Sequence, residues 1–243
     1  MKRKRLDEVL MKRGWARDAA EAFVIVTEGR VFVSGQKAIS PAQLAGPNDN
    51  VEVRGMREYV GRGASKLEAA MEHFKISAEG AVCADVGAAT GGFVEVLLRR
   101  GAVRVFAIDA GRGKLDVKLR EDPRVVVMEG VNVLTFGHLP EAIRLVTIDV
   151  SFTSLKLVLP AIRHWLAADG QVIALFKPQY EIEDKSVLKR GILGDDGVRQ
   201  ELLERFRTWL RKNHWQELGF MESPIRGTTG NVEYLFHLAH PLL

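Results

Sequence analysis

Hydrophobic spacing changes character along the chain. In "RLDEVLMKRG", Leu6, Val9, Leu10 and Arg13 fall at helical spacing, and Gly14 is a stop. "ARDAAEAFVIVTEGRV" predicts a second helix with Ala19, Ala20, Phe23 and Val24 on one face and Gly29 closing it. The period then shortens to two: "RVFVSGQKAI" alternates like a strand and turns at Ser34-Gly35, and "DNVEVR" adds another short strand. Beyond the segment "SKLEAAMEHF", read as a helix, strand and helix patterns alternate. "AVCADVGAA" leads into a helix from Gly91 to Arg100, followed by strands "RVFAIDA", "RVVVMEG" and "LVTIDVSF". An apolar helix, "TSLKLVLPAIRHWLA", precedes strand "QVIALFK", helix "RQELLERFRTWLRK" and two last strands, "LGFMESPI" and "NVEYLFHL". Repeated β-α units of this kind predict an α/β protein with a doubly wound, mostly parallel sheet, preceded by a small α+β module. Ligands in such sheets sit at the carboxyl ends of the strands. The two parts are expected at residues 1–60 and 61–243, with "VRGMREYVGRGASK", residues 53–66, as a mobile linker.

Composition narrows the class. With 47% hydrophobic residues the chain can bury a full core, yet no apolar run reaches the length of a membrane span. The basic start, "MKRKRLDEVLMKRG", lacks the apolar stretch of a secretory signal, so a soluble cytoplasmic protein is expected. A single cysteine, Cys83, excludes an internal disulfide framework and is read as a buried thiol within a strand. Charge is unevenly divided. Residues 1–66 hold 13 Lys and Arg against 8 Asp and Glu, whereas the remainder holds 22 against 23. The basic excess therefore belongs to the first module, which points to a polyanionic partner.

That module resembles the S4 RNA-binding domain. Arg5, Leu6, Asp7, Gly14, Arg17, Ala20, Gly29, Val31, Val33 and Gly35 match its pattern, while Ala16 replaces the usual Ser and Ser34 the usual Asn. With Ala16, the Ser hydroxyl that would cap one helix is absent. The resemblance implies that Arg3, Arg5, Lys12, Arg13 and Arg17 contact phosphates of structured RNA, positioning it without reading its sequence.

"DVGAATGGF", from Asp85 to Phe93, joins a strand to a helix through small residues, as a nucleotide or nucleoside-bearing cofactor requires. Asp109 ends the second strand, 22 residues past Gly87, where a carboxylate meets ribose hydroxyls. Gly87, Gly91 and Gly92 do not fit Gly-x-Gly-x-x-Gly, and no Gly-Lys-Ser/Thr occurs. An acidic residue two before the first glycine, Asp85, suits a cofactor carrying an amino group and a sulfonium, and S-adenosylmethionine fits. Asp85, Gly87, Thr90, Gly91, Asp109 and Asn132 form the expected cofactor set. Asn132 is read either as an adenine contact or as a turn former.

Four charged residues stand at informative places. Ser65-Lys66-Leu67-Glu68 reads as a capping box, which sets Lys66 at the first helical position. Asp149 ends "LVTIDV", Lys177 follows "VIALF", and Glu233 begins the last strand after "RGTTGN". Charges in such apolar contexts are costly unless paired, so they are either two salt bridges closing the sheet edge or a functional cluster.

In that order around the glycine turn, Lys66, Asp149, Lys177 and Glu233 resemble the Lys-Asp-Lys-Glu catalytic tetrad of FtsJ-type ribose 2′-O-methyltransferases. Joined to an S4 module, and with "GRGASKLEAA", "IDVSFTSL", "FKPQYE" and "SPIRGTTGNVEYLF", the whole chain resembles the TlyA family of rRNA methyltransferases. The resemblance implies a Rossmann-like, S-adenosylmethionine-dependent methyltransferase domain with a seven-stranded, mostly parallel sheet. It further implies 2′-O-methylation of cytidine in ribosomal RNA, and the short N-terminus and compact tail suggest the group acting on the large subunit. "EDKSVLKRGILGDDGVR" departs from the family wording and is expected to be a loop over the substrate. Within this reading Lys177 lies nearest the attacking oxygen, as a base or as a cation steering the lone pair, and Asp149 and Glu233 orient the lysines. Phe152 packs against either the target nucleoside or the core.

Two other classes compete. One is a non-enzymatic RNA-binding or ribosome-assembly protein. The other is a membrane-lytic protein, since some relatives carry a haemolysin label. The intact tetrad and glycine turn disfavour the first, and the lack of a spanning segment disfavours the second. His237 and His240 lie on different faces of a strand without a carboxylate or thiol partner, so no metal is expected.

Overall fold

A computed structural model describes residues 3–16, 18–54 and 59–240. The chain divides into two compact units, Met1–Glu58 and Tyr59–Leu243.

In the first unit, β1 (Lys4–Arg5), α1 (Leu6–Lys12) and α2 (Ala19–Thr27) precede β2 (Val31–Val33), β3 (Gln36–Lys37), β4 (Leu44–Ala45) and β5 (Val51–Val53). The β2–β3 hairpin turns through Ser34 and Gly35, both at positive φ (49° and 83°), a pair that matches the twist of its strands. β2 also pairs with β5, and β1 with β4. Leu6, Leu10, Ala22, Ile25, Val26, Val31 and Val51 form the core. The expected face of α2 is therefore wrong. Ala19 and Ala20 are exposed, as are Phe23 and Val24, while Ala22, Ile25 and Val26 are buried. Both sides of α2 are apolar, so periodicity had little to distinguish them; packing against the α1 leucines selects the other side. The cap expected to be missing is supplied by Asp18, whose Oδ1 accepts from Glu21 N at 2.8 Å.

The second unit contains α3 (Ala64–Phe74), β6 (Val82–Val86), α4 (Gly92–Arg99), β7 (Arg104–Asp109), α5 (Val117–Arg120), β8 (Val125–Glu129) and β9 (Ile143–Ile148). There follow α6 (Leu155–Ile162), β10 (Leu166–Phe176), α7 (Pro178–Glu181), α8 (Asp196–Lys212), β11 (Gln216–Glu222) and β12 (Tyr234–Ala239). The sheet has the order β11-β12-β10-β9-β6-β7-β8, with β12 alone antiparallel to its neighbours. Alternate side chains feed two cores. Ala84, Val86, Val172, Ala174 and Phe176 face one layer, and Cys83, Ile173 and Leu175 the other. Burial pushes the Cys83 thiol up to about 12, so it is an inert core group. The chain winds outward from β6 through β7 to β8 and returns on the far side as β9. This leaves a crevice where the two directions part, at the carboxyl ends of β6 and β9.

Three expectations need correction. Ser65 caps nothing: Gly63 precedes the helix, Ser65 Oγ donates to Arg62 O, and Lys66 is the third helical residue. Glu68 is instead engaged by Tyr59 Oη at 2.8 Å and by Arg100. Residues 166–170, partly read as helix, belong to β10, because the helix closes in a 3₁₀ turn at 163–165 and a bulge then sets the register with β9. Residues 59–66 are not a linker. Val60 N donates to Glu95 Oε2 at 2.7 Å and the Arg99 guanidinium lies 4.2 Å from the Tyr59 ring centroid, which anchors this stretch in the second unit.

Candidate active site

The crevice is built around Gly87, at φ +90°, directly after β6. A Cβ at this position would overlap the carbonyl of Asp149, which a flexible neighbour could not relieve. Backbone against backbone, the ends of β6 and β9 close to this distance only with glycine. Asp149 N donates to Val86 O at 2.9 Å, and Gly87 N donates to Ile108 O at 2.8 Å, fixing the turn against β7 and β9 together. Two cavities of about 240 and 270 Å³ open on either side, and both are lined by Gly87, Ala89, Asp149 and Ser151.

Lys66, Asp149, Lys177 and Glu233 all line the first cavity. They form two ion pairs, Lys66 Nζ to Glu233 Oε2 at 2.5 Å and Lys177 Nζ to Asp149 Oδ1 at 2.6 Å. The first pair is the more deeply buried, with side chains 9% and 4% exposed. Lys177 also donates to Ser151 Oγ at 3.3 Å. The salt-bridge reading of these charges is met, and the two pairs share one cavity. The pairs are part of the fold and line a cavity open to a ligand.

The second cavity is lined by Gly87, Asp109 and Asn132 from the expected cofactor set. Asp109 Oδ2 accepts from Ala89 N at 2.9 Å, and its Oδ1 accepts from Gly111 N at 2.6 Å and from Lys114 Nζ at 3.3 Å. A carboxylate offers about four acceptor positions, so one remains for a hydroxyl, and the half-exposed Lys114 can yield a second. A ribose diol, donating through its two hydroxyls, fits those acceptor positions. Asn132 is a turn former, its Oδ1 accepting from Leu134 N at 3.0 Å, and it also lines the cavity.

Asp85, Thr90 and Gly91 line neither cavity. Thr90 is exposed, with its hydroxyl beside Gly61 and its carbonyl accepting from Asp116 N. Gly91 leaves room for Leu115 and Leu119. Asp85 lies under the turn, 1% exposed; Thr147 Oγ1 donates to its Oδ1 at 2.7 Å, and its Oδ2 has no hydrogen-bond partner among the described residues. Burial, opposed by the Thr147 bond and reinforced by Asp149 and Asp109, raises its pKa to about 7. Burial likewise raises Glu181, which holds Ser154 Oγ and Leu155 N at the start of α6.

Phe152 is 88% exposed, at φ +62°, and lines the second cavity, with its ring 5.0 Å from that of Tyr180 in the first. A bulky side chain in the left-handed region is strained, and strain of this kind gathers at functional sites. The core alternative for Phe152 is excluded. Ser151, Gln179 and Tyr180 were missed as individuals, although "IDVSF" and "FKPQYE" were singled out. Gln179 is 6% exposed, and its Oε1 has no hydrogen-bond partner among the described residues.

In the first unit Arg3 and Lys12 are exposed. Arg5 Nη2 pairs with Asp7 Oδ2 at 2.7 Å; Arg13 Nη1 donates to Val51 O at 3.2 Å, with its guanidinium 5.0 Å from the Trp15 ring centroid. Arg17 lies outside the described residues. His237 Nε2 meets Gln171 Oε1 at 2.9 Å, and His240 lies edge-on to Trp215.

Residues 59–240 match the model of the FtsJ-like methyltransferase family. Over 98% of its length the chain is 40% identical to the 16S/23S rRNA (cytidine-2′-O)-methyltransferase TlyA of Mycobacterium tuberculosis, covering 90% of that protein. It is 38% identical to Hemolysin A of Brachyspira hyodysenteriae, with 96% of this chain and 98% of that one covered. A solved structure from Streptococcus thermophilus, provisionally named a hemolysin, superimposes with a TM-score of 0.74 at 34% identity, covering 99% of this chain and 90% of that one. The strand order, the glycine turn and these likenesses agree: the chain belongs to the FtsJ-like methyltransferase family, in its TlyA group.

Proposed function

We propose that the chain transfers a methyl group from S-adenosylmethionine to the 2′-hydroxyl of a cytidine in ribosomal RNA, with large-subunit RNA as the first substrate to test. S-adenosylmethionine, when bound, supplies the electrophilic methyl. Asp109, Gly87 and Asn132 hold its adenosine side in the second cavity, and Asp85 supports the turn from beneath. The target ribose enters the first cavity, where Lys177 hydrogen-bonds the 2′-oxygen and the departing proton passes to the Lys177–Asp149 pair. Lys66 and Glu233 hold the opposite wall. Alignment of oxygen with methyl where the two cavities meet, beside Gly87 and Asp149, accounts for most of the acceleration, an effect worth up to about 7–11 kcal/mol in well-oriented reactions. Phe152 packs against the target nucleoside. The first unit, as an S4 module, docks structured RNA through Arg3, Arg5, Lys12, Arg13 and Arg17.

One observation carries this reading: four charged side chains, spread from position 66 to position 233, line a cavity whose wall is shared with the Asp109 cavity. The test is transfer of tritiated methyl to ribosomal RNA, with mass mapping of the modified nucleotide. Lys177→Ala is expected to abolish transfer while cofactor affinity stays near normal. Normal turnover by that variant refutes the assignment.

A further inference from the structure

Inside the first cavity the charges cancel in two pairs; at its edge they do not. Arg62 and Arg226 both line this cavity, both are exposed, and neither forms an ion pair among the described residues. Nine other arginines of the same unit do pair with a carboxylate. Arg112, Arg163, Arg190 and Arg211 also form no ion pair among the described residues, but of these six arginines only Arg62 and Arg226 line the cavity.

Their placement follows from the residue that comes next. Arg62 precedes Gly63 and Arg226 precedes Gly227. A Cβ on Gly63 would lie 3.6 Å from Asp149 Oδ2, and one on Gly227 would overlap the Glu233 carboxylate. Each Arg-Gly step therefore lays its backbone near one carboxylate of the tetrad, with the exposed arginine lining the same cavity. Both steps are held firmly. Lys66 N donates to Gly63 O at 2.9 Å, and Gly227 N to Asn231 O and Gly230 N to Gly227 O at 2.9 and 2.8 Å. Arg226 Nη1 donates to Gly230 O at 3.3 Å, leaving the rest of its fork available.

We propose that Arg62 and Arg226 form a two-point clamp on the phosphodiesters flanking the target ribose, gripping the RNA backbone on both sides of the hydroxyl. This rests on the ribose-methylation reading and adds to it the group that positions the polymer. A ribose within RNA carries a phosphate on each side, so a neutral floor beneath two separate cations matches its charge distribution. Guanidinium groups suit phosphate oxygens because they can donate twice in one plane. Such contacts fix register without reading sequence.

The test uses the full chain, a ribosomal RNA fragment methylated by the wild type, and the variants Arg62→Gln, Arg226→Gln and the corresponding lysine replacements. Each glutamine variant is expected to raise KM for RNA roughly tenfold, with the loss falling on KM rather than kcat. Its plot of log kcat/KM against log salt should be shallower by about 0.7–1 per arginine removed. Lysine should restore most of the affinity, and S-adenosylmethionine affinity should not move, since neither arginine lines the second cavity. An unchanged KM and salt slope overturns the clamp. So does a loss that lysine does not repair and that comes with altered sequence preference, because that marks base reading. Absence of RNA methylation by the wild type overturns the ribose reading itself, and is distinguishable because no variant is involved.

Discussion

Substituting Lys66 and Glu233 separates structural clasp from chemical device. The pair spans 167 positions and ties α3 to the residue before β12 through a 2.5 Å contact. With its side chains 9% and 4% exposed, loss of either partner strands a charge away from water. Breaking a buried pair in this way costs about 3–5 kcal/mol, whereas replacing both partners by apolar groups of similar size is close to neutral. In a protein of this size about 1 kcal/mol corresponds to 2–4 °C, so Lys66→Met and Glu233→Met should each lower Tm by roughly 10 °C. Lys66→Met/Glu233→Met should recover most of that fall. Methyl transfer, measured on the same four proteins, should be lost in all three variants. Recovery of turnover by the double variant refutes the catalytic assignment and leaves a structural clasp. Single variants with unchanged Tm refute the burial reasoning.

Three further outcomes are expected. The folded Asp85 titrates near 7 and its unperturbed carboxyl near 3.8, so folding takes up a proton between those values and this contribution to stability is lost as pH rises from about 4 to 7. The Tm of Asp85→Asn minus that of the wild type should therefore rise from pH 5 to 7.5, and a flat difference removes the assignment. Phe152→Ala should leave Tm within about 2 °C, because an exposed ring contributes little burial, yet lower turnover on RNA; unchanged turnover excludes contact with the nucleoside. Asp109→Asn should weaken S-adenosylmethionine binding roughly tenfold by calorimetry, since a carboxamide accepts at one atom only. Equal affinity would move the ribose site elsewhere.

Much of this arrangement was legible because a few backbone constraints have few solutions. A strand ending in Gly87, a second ending in Asp109 and charges just past strand ends could only gather at one sheet edge once the strands ran parallel. The supporting contacts were less visible. Glu68 has the spacing of a capping partner, but Tyr59 and Arg100 claim it, and both reach it only after folding. The glycines and arginines of residues 59–66 read as a joint, while Glu95, 35 residues from Val60, holds the segment in place. Asp85 has the spacing of a ligand contact, yet β9 places Thr147 beside it and turns it inward. In α2 the wrong face was chosen because apolar residues surround the helix. Each miss involves a partner distant in sequence, which local periodicity does not encode.

Gly87, Ala89, Asp149 and Ser151 belong to both cavities, so the two hollows are neighbours that meet along these residues. A substitution at any of these shared residues alters the lining of both hollows at once. Under the proposed reaction, kinetic constants for nucleic acid and for methyl donor are expected to shift together at these positions.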